Sequence, residues 1–162
     1  MHPNEQLIHT FYTAFQNGDA LAMSQCYHPD VEFRDPAFGL LKGKKASLMW
    51  KMLVERGKGD TKIDCFDVEA NDNRGKAKWV AHYTFSQTNR KVVNHIWAKF
   101  QFKDGLIYTH TDDFNIWRWA KQAIGWKGFV LGWTTFFRRK IQEKALYSLK
   151  KYSEKQAYSL GL

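Results

Sequence analysis

A chain of 162 residues with 44% apolar and 16% aromatic residues can bury a sizeable core in one domain, which excludes a disordered or linker-type protein. Its net charge of +9 is unevenly spread: residues 1–115 carry 15 Lys/Arg against 14 Asp/Glu, and residues 116–162 carry 10 against 2. Cys26 and Cys65 match no metal-ligand or redox spacing and MHPNEQLIHTFY lacks the apolar core of a secretory leader, so a cytoplasmic protein with reduced thiols is expected.

The first predicted element is a helix over 3–17, with Pro3 in its first turn and Leu7, Ile8, Phe11, Tyr12 and Phe15 recurring at helical spacing. Asn17-Gly18 stops it, and Asp19 caps a short second helix ending near Cys26. His28-Pro29-Asp30 then leads into a strand whose period of two puts Val31, Phe33 and Asp35 on one face. Pro36 holds Asp35 extended and ends the run, so a carboxylate is aimed at the apolar side.

A third helix is predicted over 44–56, with Leu48, Met49, Met52 and Leu53 on one stripe. The period then changes to two. Strands are expected over 62–70, 76–86, 94–102 and 106–114, separated by turn signals at 71–75 and at Lys103-Asp104-Gly105. Along them Ala77, Trp79 and Ala81 share a face, as do Ile96, Ala98 and Phe100, with His82, His95 and Trp97 opposite. On the last strand His110 and Asp112 point the same way. Helices over 116–126 and 136–159 follow, the second with a stripe of Phe137, Ile141, Ala145, Leu149 and Tyr152. Helices followed by a meander describe an α+β fold with helices on one side of a curved sheet.

FYTAFQNGDALAMSQCYHPDVEFRDPAFGLLKG, from Phe11, and FQFKDGLIYTHTDDFNIWRW, from Phe100, resemble the SnoaL-like polyketide cyclase family of the nuclear transport factor 2-like superfamily, which also holds ketosteroid isomerases and limonene epoxide hydrolases. The resemblance spans roughly residues 5–125, and the continuation WRWAKQAIGWKGFVLGWTTFFRRK resembles the tail of an uncharacterised bacterial subgroup. It implies a cone-shaped, strongly curved antiparallel sheet wrapped by N-terminal helices around an apolar pocket. The domain is expected over 1–125, with 126–162 as a basic, aromatic-rich helical extension packed on it or on a partner subunit.

The resemblance also implies roles. Asp35 matches the "strand, Asp-Pro" base of ketosteroid isomerases, a position that needs a desolvated pocket to tune its proton affinity. The two oxyanion donors of those isomerases are missing, since the matching positions hold Phe11 and Ala98, and Tyr12 is expected on another face of its helix. SnoaL-type cyclases use an Asp with a nearby His for aldol closure, which points to Asp112 and His110. Asp35, His110 and Asp112 are thus the expected catalytic residues, and Trp50, His82, His95 and Trp97 the expected pocket lining. No cofactor and no metal are expected, because the histidines form no ligand spacing.

The function expected is binding of a small apolar ligand by a homodimer, with acid/base isomerase, cyclase or hydrolase chemistry. The alternatives are a non-catalytic dimeric binding or scaffold module, or a peripheral membrane protein held by residues 126–159. Nucleic acid is not expected as a partner: the basic tail carries no recognised binding motif, and a Lys-rich solvated helix face explains it.

Overall fold

The computed structural model describes residues 1–161, so Leu162, the last residue of the expected extension, lies outside the described residues. Helix α1 (Pro3–Gln16) starts in a capping box: the His2 imidazole accepts from Asn4 N–H at 3.1 Å, and Glu5 accepts from His2 N–H at 3.0 Å. Asp19 caps α2 (Ala20–Gln25) by accepting from Ala22 N–H. The chain continues through β1 (Tyr27–Asp35), β2 (Gly39–Lys42), α3 (Lys44–Arg56), β3 (Lys62–Ala70), β4 (Arg74–Phe85), β5 (Arg90–Lys103) and β6 (Leu106–Asp113). It closes with α4 (Ile116–Ile124), α5 (Trp126–Leu131) and α6 (Thr135–Ser159).

The strands form one sheet in the order β2-β1-β6-β5-β4-β3. The meander β3 to β6 is antiparallel as expected, but β1 pairs with β6 in parallel, making the sheet mixed. Strand β1 enters from the opposite end of the chain, and no hairpin obliges it to run antiparallel. Register shifts fall between Tyr27 and Glu32, between Phe66 and Glu69, and between Gln101 and Phe102. Such irregularities bend a strand and raise its twist, which curves the sheet around α1 and α3.

The concave side is filled. Ile8, Phe11, Phe33, Met49, Met52 and Phe100 are fully buried there, each burial worth about 1.5–3 kcal/mol. The open apolar space expected at the centre of the cone is occupied by these side chains. Behind them α6 lies across α3, with Leu149 buried and Ala145 and Tyr152 packed on the same core, as its apolar stripe requires. The helix expected over 116–126 ends earlier, because Gly125 takes a φ of 80° that breaks it and starts α5.

Candidate active site

His110 sits where β6 crosses the middle of the sheet, opposite Phe100 of β5 and Phe33 of β1. Its side chain is 0% exposed and ringed by aromatic neighbours, with Phe100 at 4.5 Å and Trp50 stacked at 5.9 Å between ring centroids. A polar ring in such a place must have its hydrogen bonds met inside the protein. Tyr27 Oη lies 2.7 Å from Nδ1, and Asp112 Oδ1 lies 3.0 Å from Nε2. The chain extends both ways: Trp50 Nε1 donates to Tyr27 Oη at 2.7 Å, and Trp79 Nε1 donates to Asp112 Oδ1 at 3.3 Å.

Donor counting places the protons along this chain. An indole N–H can only donate, so Tyr27 Oη accepts from Trp50 and passes its own hydrogen to His110 Nδ1. Nδ1 is then the bare nitrogen, Nε2 carries the hydrogen, and Asp112 receives it as a carboxylate. Both hydrogen bonds fall on Oδ1, which leaves Oδ2 without a partner among the described residues, on a side chain 4% exposed.

The charge of Asp112 reaches further groups. Burial first, then this charge, holds the Tyr12 and Tyr27 phenols well above the ordinary tyrosine range. Burial likewise pushes the Cys26 thiol to about 11, and burial with the Asp112 charge pushes Cys65 to about 12, so neither is a thiolate near neutral pH. Tyr12 is 2% exposed, packs on Trp79 at 5.6 Å and on Phe100 at 6.4 Å, and its hydroxyl has no hydrogen-bond partner. The helix phase that expected it elsewhere is corrected: α1 buries a face broad enough to take both Phe11 and Tyr12.

Asp35 ends β1 on the inward side with Val31 and Phe33, as its alternation requires. Oδ1 accepts the backbone N–H groups of Ala37 at 2.9 Å and Phe38 at 2.6 Å, so the carboxyl also holds the turn into β2. Burial pushes it up to about 7 against the pull of the Phe38 and Ala37 N–H bonds, and the Asp112 charge pushes it the same way. Its own charge reaches Tyr83, whose Oη accepts from Trp119 Nε1 of α4 at 2.7 Å. Asp35 thus neighbours Asp112 on one side and the α4 end of the cone on the other. A surface cleft of about 420 Å³, lined by Pro36, Asp113, Phe114, Ile116 and Arg138, opens beside this end.

The other expected lining residues divide. Trp50 is 2% exposed and belongs to the buried chain, but His82, His95 and Trp97 stand on the outer face of the sheet. His82 lies 3.6 Å from Asp64 in a solvent-exposed pair, and His95 and Trp97 are exposed. Their phase decides it: Ile96 and Ala98 take the inner positions of β5, and the residues between them must face out. Among the described residues no group of three His, Cys, Asp or Glu side chains could hold a metal ion, and no helix is long and apolar enough to cross a membrane.

The family model of the SnoaL-like domain matches residues 8–110. Solved structures with the same fold include a candidate polyketide cyclase from Xanthomonas campestris pv. campestris, at 25% identity and a TM-score of 0.59, over 72% of this chain and 93% of that one. TerC, co-crystallised with polyporic acid, matches at 18% identity and 0.59, over 70% of this chain and 92% of its own. An epoxide hydrolase from M. tuberculosis, of the LEH-like type, matches at 16% identity and 0.59, over 80% and 96%. No curated protein matches the sequence.

Proposed function

The chain belongs to the SnoaL-like domain family, and from that premise we propose that it binds a small apolar carbonyl compound and moves a proton on it, as an acid–base isomerase or cyclase. The observation that carries this reading is the pairing of two inward carboxyls with different settings. Asp112 accepts hydrogen bonds from His110 and Trp79, while Asp35, pushed up to about 7, can take or give a proton near neutral pH.

In the proposed step the Asp35 carboxylate takes a proton from the carbon next to the carbonyl. The electron pair left behind forms an enolate; in isomerisation the conjugated dienolate takes the same proton back at a second carbon. In cyclisation the enolate carbon adds to a second carbonyl carbon, whose π pair moves to its oxygen, and Asp35 gives that oxygen the proton. His110 is too enclosed to touch the ligand, and acts as a positioning residue that keeps Asp112 oriented. TerC, a protein of this fold, has been co-crystallised with polyporic acid, and an aromatic wall with few polar groups suits an apolar ligand here.

The test uses 2-tetralone, a planar ketone with acidic C–H bonds, in heavy water. Deuterium uptake next to the carbonyl, followed by NMR, is expected to exceed the buffer rate and to fall by about 100-fold or more in Asp35→Asn. Uptake at the buffer rate in the wild type would remove catalysis from this reading. If 2-tetralone still bound, the non-catalytic binding module would take its place.

A further inference from the structure

Residues 116–140 contain six Lys or Arg and no Asp or Glu, and all six cations are exposed. Within this stretch Trp126, Phe129, Val130 and Trp133 follow the i, i+3, i+4, i+7 spacing of a single helix face. Phe129 touches the Trp117 ring of α4 at 5.9 Å between centroids, and none of the four joins the buried core. Trp126 is 72% exposed, Trp133 68% and Phe136, in the first turn of α6, 70%, whereas rings of this size are normally mostly buried.

The segment that displays them is itself closely seated. Gly128 packs so tightly on α4 that a Cβ there would collide with the Ala120 carbonyl oxygen, and Trp133 Nε1 donates to the Val130 carbonyl at 2.9 Å. Cations stand over the rings: Lys121 lies 5.1 Å from the Trp117 centroid, Lys127 6.0 Å from Trp126 and Lys140 5.7 Å from Phe136. Exposed Trp and Phe interleaved with Lys and Arg form a face that is apolar at its centre and positive at its rim.

We propose that α5 and the start of α6 dock the protein onto an anionic lipid surface. The rings enter the boundary between headgroups and acyl chains, and the cations meet the lipid phosphates. The charge complement selects this occupant. A symmetric contact between two copies would bring twelve cations together without one carboxylate from these segments. A nucleic acid would pair with the cations but leave Val130 and Leu131, each about half exposed, in water. Because no described helix can cross a membrane, the attachment is peripheral. It does not depend on the proton-transfer reading.

The experiment is cosedimentation of the full chain with vesicles of phosphatidylcholine alone and of phosphatidylcholine with about one-third phosphatidylglycerol. Binding is expected on the anionic vesicles only, weakening as salt is raised. Lys127→Glu with Lys140→Glu should lower partition by about 25-fold or more, taking roughly five-fold per lost cation. Trp126→Ser, Trp133→Ser and Phe136→Ser together should abolish it. All these positions are exposed, so an unchanged circular dichroism spectrum and Tm will show that folding is intact. The proposal is overturned if the wild type fails to sediment with anionic vesicles, or if binding survives both sets of substitutions. It is also overturned if the aromatic substitutions instead dissociate a dimer seen by sedimentation equilibrium.

Discussion

Removing the Tyr27 hydroxyl tests the buried chain where it is most constrained. Tyr27→Phe keeps the ring but leaves Trp50 Nε1–H without an acceptor and His110 Nδ1 without a donor. The two residues are 2% and 0% exposed, so neither can turn to water. An unsatisfied buried polar group costs about 1–3 kcal/mol, so the pair should cost roughly 2–6 kcal/mol. At about 2–4 °C per kcal/mol for a chain of this size, a central value near 4 kcal/mol lowers Tm by roughly 8–16 °C. Tyr12→Phe is the matched control, because it deletes a hydroxyl that is equally buried but has no partner. That change should leave stability within about 0.5 kcal/mol or raise it. Urea unfolding followed by tryptophan fluorescence reads both. A loss below about 1 kcal/mol for Tyr27→Phe, or equal losses for the two variants, would refute the continuous chain.

Asp35 should make stability fall as pH rises. Its folded value near 7 lies above the ordinary 3.8, so between them the folded state holds more protons than the unfolded one, and the slope of stability against pH is negative. Asp35→Asn keeps the acceptor for Ala37 and Phe38 N–H, and should show a smaller fall of Tm than the wild type between about pH 4 and 7. Parallel curves would contradict the raised value. Gly128→Ala must lift α5 from α4, and amide hydrogen exchange in α5 is expected to quicken by about ten-fold or more; unchanged exchange would mean the seat is not close. The homodimer expected from the resemblance has its candidate surface on the outer face, where Phe66, Val93 and Trp97 are exposed. Trp97→Asp should then shift the sedimentation equilibrium toward monomer, and a wild type that is monomeric at all concentrations would contradict it.

Periodicity carried much of the fold. Alternation along β6 put His110 and Asp112 on one face, and alternation along β1 turned Asp35 inward. The same alternation put His95 and Trp97 opposite Ile96 and Ala98, so their place on the outer face was legible, and the pocket-lining reading ran against it. Strand β2 was not legible, since GLLK is too short to show a period and owes its pairing to the turn that Asp35 holds. Tyr27 was missed because His28-Pro29-Asp30 looked like the end of a helix, whereas Tyr27 is already paired with Ile107 of β6. Trp79 could be read as inward, but its bond to Asp112 spans β4 to β6 across β5, and no local spacing encodes such a contact. Tyr12 escaped because a helix packed against a curved sheet buries a wider face than one stripe. The parallel pairing of β1 with β6 joins distant parts of the chain and has no sequence signature.

A small apolar ligand is predicted to contact the protein between Asp112 and the α4 end of the cone. The tryptophans report on it directly, because each indole N–H gives its own signal in a nitrogen–proton correlation spectrum. On titration with 2-tetralone, the signals of Trp79, bonded to Asp112, and Trp119, bonded to Tyr83, are predicted to shift in a saturable way. Those of Trp97 on the outer face and of Trp126 and Trp133 around α5 should stay in place. Shifts confined to Trp97, Trp126 or Trp133, with Trp79 and Trp119 unmoved at saturation, would place the ligand elsewhere.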